Sequence, residues 1–184
     1  TLHAGGQLIT LPSFEPSSFL NAMEKYEPTF MHFAPPLVGF CAAHPSVEEK
    51  HLKSIKHIMV GAAPVGESLI DAFKQKAPNV HFREGYGMTE LSPVATMTIV
   101  DLFKPGSCGV LLPNMDAKIA DLGTGEALGP NETGELCLRG PNVMKGYLDN
   151  DKATEETIQS GWLRTGDIAL YDDLGRIFIV DRLK

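Results

Sequence analysis

No stretch of this sequence is apolar over the roughly 18–20 consecutive residues that a membrane-crossing helix requires, which excludes a transmembrane reading. Thr1 to Gly6 contains no basic stretch followed by an apolar block, so no secretory signal is read there. Cationic surface is equally scarce. The net charge is −7, and no Lys/Arg cluster offers the positive face that a sequence-blind nucleic-acid binder uses. Only three cysteines occur, Cys41, Cys108 and Cys137, odd in number and far apart. That argues against a disulfide framework and for a reducing, intracellular compartment. The six histidines show no metal-ligand spacing. Internal repeats and low-complexity tracts are absent as well. The sequence also lacks an initiator Met and stops abruptly at Leu183-Lys184, so both ends read as cut.

What remains is ordinary for a globular protein: 184 residues, 43% apolar and 21% charged, enough for one core or two small lobes sharing an interface. The first half alternates strand-like and helix-like stretches. Gln7 to Leu11, Thr29 to Phe33, Ile55 to Val60 and Val80 to Arg83 read as strands. Between them, Ser17 to Tyr26, Leu37 to Ala43 and Glu67 to Lys76 read as helices, with Ser17 or Ser18 as N-cap of the first. This rhythm predicts an α/β lobe with parallel strands and helical crossovers.

From about Lys104 glycines and turn residues separate short alternating strands: Ala117 to Ala120, Gly134 to Arg139, Ile168 to Tyr171 and Arg176 to Val180. They predict a small antiparallel sheet or open, distorted β-barrel, with the boundary between lobes near residues 98–105.

Two stretches offer chemistry. Arg83-Glu84-Gly85-Tyr86-Gly87-Met88-Thr89-Glu90 reads as a loop at the carboxyl end of a strand, where α/β folds collect ligands. Its glycines admit close approach of a bulky group, and the Tyr86 ring offers a stacking surface for a purine. Thr89 supplies a hydroxyl and an N–H for a phosphate oxygen, and Glu90 a hard carboxylate for Mg²⁺. In Gly161-Trp162-Leu163-Arg164-Thr165-Gly166-Asp167, Asp167 follows a glycine in a tight turn and can accept hydrogen bonds from paired ribose hydroxyls. Taken singly, each stretch reads more readily as a plain turn. Gly134 to Gly140 reads as an ordinary hairpin strand.

Together the stretches carry a resemblance. Tyr86-Gly87-Met88-Thr89-Glu90, Gly134-Glu135-Leu136-Cys137-Leu138-Arg139-Gly140, Trp162-Leu163-Arg164-Thr165-Gly166-Asp167 and Val180-Asp181-Arg182-Leu183-Lys184 follow the order and spacing of adenylate-forming enzymes. The chain is most similar to their 4-coumarate-CoA ligase and firefly luciferase branch. The resemblance implies an internal piece of an acyl-CoA ligase, which joins a carboxylic acid to AMP at the expense of MgATP and passes the acyl group to coenzyme A. Residues 1–100 would belong to the adenylate-binding α/β subdomain, 101–180 to the barrel-like subdomain, and 181–184 to the start of a hinge.

By the same resemblance Ala62, Ala63, Glu84, Gly85, Tyr86, Gly87 and Met88 would border the adenine and acyl pocket. His32 and Met97 would help shape the acyl site. Thr89 would hold the α-phosphate, Glu90 the metal, Asp167 the ribose, and Arg182 would add a charged contact to ribose or phosphate. Further parts are expected outside this chain: a phosphate-binding loop before Thr1 and a catalytic lysine beyond Lys184. The ligases often carry Gln where this chain has Glu84, and Ser13 stands where plant members carry a lysine linked to coenzyme A. A luciferase-type oxygenase sharing the adenylation step, and a non-catalytic binding module, are the rival readings. The address is cytoplasmic or peroxisomal on this reading.

Overall fold

A computed structural model describes residues 3, 5–61 and 65–183. Among the described residues ten strands pair into two sheets, with five α-helices connecting and covering them. The first helix, α1 (Pro16–Tyr26), starts where Pro16 removes an N–H that would have no partner. Its N-cap is Glu15, not Ser17 or Ser18. The Glu15 carboxylate accepts from both serine N–H groups at 3.0 and 2.7 Å, and these bonds hold its pKa down at about 2. After it come β1 (Phe30–Phe33), α2 (Pro35–Ala43), a single helical turn α3 (Glu49–Leu52), β2 (His57–Val60) and α4 (Glu67–Lys76).

The expected strand at Gln7 to Leu11 does not form. The segment runs beside α1 and β1 without a ladder, and Leu8 and Leu11 stay exposed. A short apolar run alone cannot make a strand when its backbone finds no ladder partner among the described residues.

The first sheet has the order β1-β2-β3-β4-β5, where β3 is His81–Gly87, β4 is Val94–Met97 and β5 is Val110–Leu111. Strands β1, β2 and β3 run parallel, as the crossover rhythm requires, while β4 and β5 return antiparallel. Phe33, Ile58, Val60 and Phe82 point to one face and meet Phe19, Met23, Val38, Ile70 and Phe73 from the helices in the first core. The sheet thus takes its last strand from beyond residue 105.

The second sheet is antiparallel, in the order β10-β9-β7-β6, with β6 at Asp116–Ala120, β7 at Gly134–Arg139, β9 at Trp162–Tyr171 and β10 at Ile177–Arg182. Helix α5 (Asp151–Thr157) and the two-residue β8 (Ile158–Gln159) precede β9, and β8 pairs with it. The antiparallel architecture follows the expectation, and the sheet stays open, with β6 and β10 as its edges. Asp181 and Arg182 complete β10. A second core joins Leu91 and Ala95 to Ile119, Leu136, Leu138 and Leu163, sealing the two sheets together. Among the described residues no helix is long and apolar enough to cross a membrane.

Candidate functional site

Glu84 to Gly87 is strand, not loop. Antiparallel pairing with β4 carries β3 on to Gly87, opposite Met97, Thr96 and Val94. The glycines are demanded by packing. A Cβ on Gly87 would lie 1.9 Å from the Pro93 carbonyl oxygen, and one on Gly85 would lie 2.6 Å from the Met59 methyl and 2.9 Å from the Thr96 carbonyl. Between them the Tyr86 N–H donates to Thr96 Oγ1 at 3.1 Å, and that hydroxyl donates onward to the Cys108 carbonyl at 2.7 Å. The Tyr86 side chain packs against the second core.

Trp162 to Asp167 is likewise strand, in place of the expected tight turn. The turn character survives as a bulge. Glu135 pairs with Ile168 and Cys137 with Arg164, a register shift that leaves extra residues on β9, and Gly166 takes φ +72°. Asp167 emerges from this bulge with its carboxylate mostly buried, and Oδ2 accepts a 2.6 Å hydrogen bond from the Tyr86 hydroxyl. Arg182, its ladder partner on β10, brings Nε to 3.6 Å from Oδ1. Burial, and then donation to Asp167, hold the Tyr86 phenol in its protonated form by raising its pKa.

These groups line one cleft of about 260 Å³, which also takes in Glu84, Gly85, Gly87 and Cys108. The volume is near the lower end for small-molecule pockets, roughly 300 Å³ upward. Glu84 is 4% exposed, and its Oε1 has no hydrogen-bond partner among the described residues. Desolvation pushes its pKa up to about 7, opposed only by the Val65 backbone N–H. Burial also pushes the Cys108 thiol up to about 11, which leaves it a poor nucleophile. The cleft therefore offers an aromatic face, two carboxyl groups and a guanidinium, a set suited to holding hydroxyls, amines and an anion.

Other expected residues fall nearby or elsewhere. Thr89 and Glu90 begin a 3₁₀ turn, Thr89–Leu91, separated from β3 by Met88 and outside the cleft lining. Glu90 Oε1 accepts from the Tyr147 hydroxyl at 2.7 Å, a partner that sequence spacing gave no means of finding. Met88 packs against the second core, within 4.0 Å of the Tyr86 hydroxyl. Met97 lies opposite Gly85 in the ladder. His32, on β1, lines a different cavity of about 650 Å³ between α1, β1 and the segment through Leu11. Ala62, Ala63 and Lys184 lie outside the described residues; Val60, just before the alanines, lines the cleft. Cys108 and Ile179 also line it without any prior sign in the sequence.

The chain belongs to the AMP-binding enzyme family, whose model matches residues 1–148. Its relatives include 4-coumarate–CoA ligase 3 of Oryza sativa subsp. japonica, 44% identical over all of this chain and 34% of that protein. They also include 4-coumarate-CoA ligase 1 of Narcissus pseudonarcissus, 43% identical over all of this chain and 35% of its own length. The chain thus spans about a third of the length of these relatives. Among solved structures, ATP-bound MatB from Rhodopseudomonas palustris superposes with TM-score 0.89 at 28% identity, covering 98% of this chain and 36% of that one. The luciferase-like enzyme from the nonluminescent Zophobas morio mealworm gives 0.82 at 30% identity, over 94% of this chain and 42% of that one.

Proposed function

We propose that this chain is the adenylate-binding part of an ATP-dependent acid–CoA ligase. The carrying observation is the meeting of Tyr86 and Asp167, from two different sheets, through one 2.6 Å hydrogen bond inside a shared cleft. A nucleotide presents an aromatic base and a pair of vicinal hydroxyls, and this cleft presents a ring and a carboxylate side by side. On this reading Tyr86 stacks on adenine, and Asp167 accepts from the ribose hydroxyls with Arg182 alongside. Gly85 and Gly87 keep the path to the acyl group open. The ATP-bound state of MatB and the names of the ligase relatives support the assignment.

The residues fit the nucleotide: among the described residues Glu84 Oε1 is a buried acceptor without a partner, and any side chain at Gly85 or Gly87 would collide with backbone. For Mg²⁺ the chain supplies one carboxylate, Glu90, and the described residues hold no cluster of three or more acidic, His or Cys ligands. This suits an ion held mainly by phosphates and water. Thr89 would contact the α-phosphate, and Mg²⁺ would neutralise charge as carboxylate and phosphate approach. Positioning and charge neutralisation are all this step asks of the chain; no side chain acts as a covalent nucleophile. Glu84 to Gly87 with Cys108 form one wall of the cleft, and Asp167, Ile179 and Arg182 the other.

The test is to supply the full-length polypeptide carrying this chain with MgATP, coenzyme A and a panel of acids that includes 4-coumarate and medium-chain fatty acids. Acid-dependent release of AMP together with an acyl-CoA thioester is the expected result. Light emission with O₂ in place of a thioester would support the luciferase-type alternative, and no acid-dependent turnover would overturn both.

A further inference from the structure

Strand β7 is buried at five of its six positions, and one of the five is Glu135, 3% exposed. Desolvating a carboxylate costs several kcal/mol, and a buried pair is often no more stabilising than an apolar residue of similar volume. Bulk stability therefore gives no reason for an acid here. Its contacts do. Glu135 Oε2 accepts from Arg164 Nε at 2.8 Å and from a terminal guanidinium N–H, while Oε1 accepts from the Gly166 backbone N–H at 3.2 Å. Those two partners lie on either side of Thr165, within the β9 bulge.

A second clasp runs through Thr165, also buried. Its hydroxyl donates to the Leu136 carbonyl at 2.7 Å and accepts the Asp167 N–H at 3.1 Å. The bulge is thus fixed to β7 by side chains where the ladder itself is interrupted. The next residue is Asp167, aimed across the cleft at Tyr86.

We propose that Glu135 is a positioning residue for nucleotide binding: by holding Arg164 and the Gly166 N–H it sets the β9 bulge that aims the Asp167 carboxylate. This inference rests on the reading of Asp167 as the ribose-holding group. Glu135 does not line the cleft, so it acts only through what it positions.

The experiment uses the full-length polypeptide and compares wild type, Glu135→Gln, Asp167→Asn and the double variant in acid-dependent ATP–pyrophosphate exchange, with Tm recorded for each. Glu135→Gln keeps the shape but loses the charge that grips Arg164. It should raise the KM for ATP about tenfold, the change that corresponds to loss of ~1.4 kcal/mol, while kcat stays within about twofold. In the Asp167→Asn background the same substitution should add less than about twofold, because two residues acting through one group are not additive. A lowered Tm with unchanged KM, or fully multiplicative effects, overturns the proposal.

Should Glu135→Gln fail to fold, Arg164→Lys serves, since the Arg164 side chain is 44% exposed. It too should raise KM non-additively, and a wild-type KM would be fatal. If Asp167→Asn alone leaves KM unchanged, the ribose reading falls and this inference with it. If Asp167→Asn raises KM and Glu135→Gln does not, only this inference falls.

Discussion

At the scale of single residues, the cleft is a place where ordinary preferences are inverted. Glu84 is an acid in an apolar wall, with a pKa near 7 against an ordinary value of 4.5. The folded state therefore binds more protons than the unfolded chain between these two values. Stability should fall as pH rises from about 4.5 to about 7 and then level, a loss on the order of 3 kcal/mol at most. Glu84→Gln should abolish that decline and raise Tm at pH 8 while leaving Tm at pH 4.5 nearly unchanged. Parallel Tm–pH profiles for the two proteins would show instead that the carboxyl is solvated. Asp167 illustrates a different inversion: a residue legible as a turn former turns out to be a strand residue, because Gly166 supplies the bend inside the ladder.

At the scale of elements, α4 and β7 could be read directly, since hydrophobic period and flanking turn signals agree and the contacts are local. Strand β3 could be read only to Arg83. Its extension through Gly87 depends on β4, four residues long and following Pro93, whose pairing is a tertiary event. The single-turn α3, α5 and the two-residue β8 lack the length for a period to show. Gln7 to Leu11 shows the reverse, a short apolar run with no ladder partner among the described residues. Sequence marked the glycines of β3 as room for a ligand, and the packing adds that they are needed for the ladder itself. Gly87→Ala should therefore cost about 1–3 kcal/mol, the range for overpacking, because a backbone carbonyl at 1.9 Å must move. Gly39→Ala, inside α2 with nothing within 4 Å, should stabilise by about 0.5–1 kcal/mol. Chemical denaturation of both variants checks the contrast; equal shifts would refute the packing argument.

At the scale of the whole molecule, the site belongs to neither sheet alone. Tyr86 and Glu84 come from the first, Asp167 and Arg182 from the second, and the apolar contact between the sheets fixes their separation. That convergence was legible in the order of the motifs, whereas Cys108, Tyr147 and the Glu135–Arg164 clasp were not, since their partners lie 12, 57 and 29 residues away in sequence. Among the described residues the cleft lining carries one guanidinium, that of Arg182. The most direct test is acid-dependent ATP–pyrophosphate exchange by the full-length polypeptide, wild type against Asp167→Ala. Removing a charge-assisted hydrogen-bond acceptor is worth about 1.5–3 kcal/mol, so exchange at subsaturating ATP should fall roughly 10- to 100-fold with Tm little changed. Exchange that survives Asp167→Ala at the wild-type rate would contradict the account.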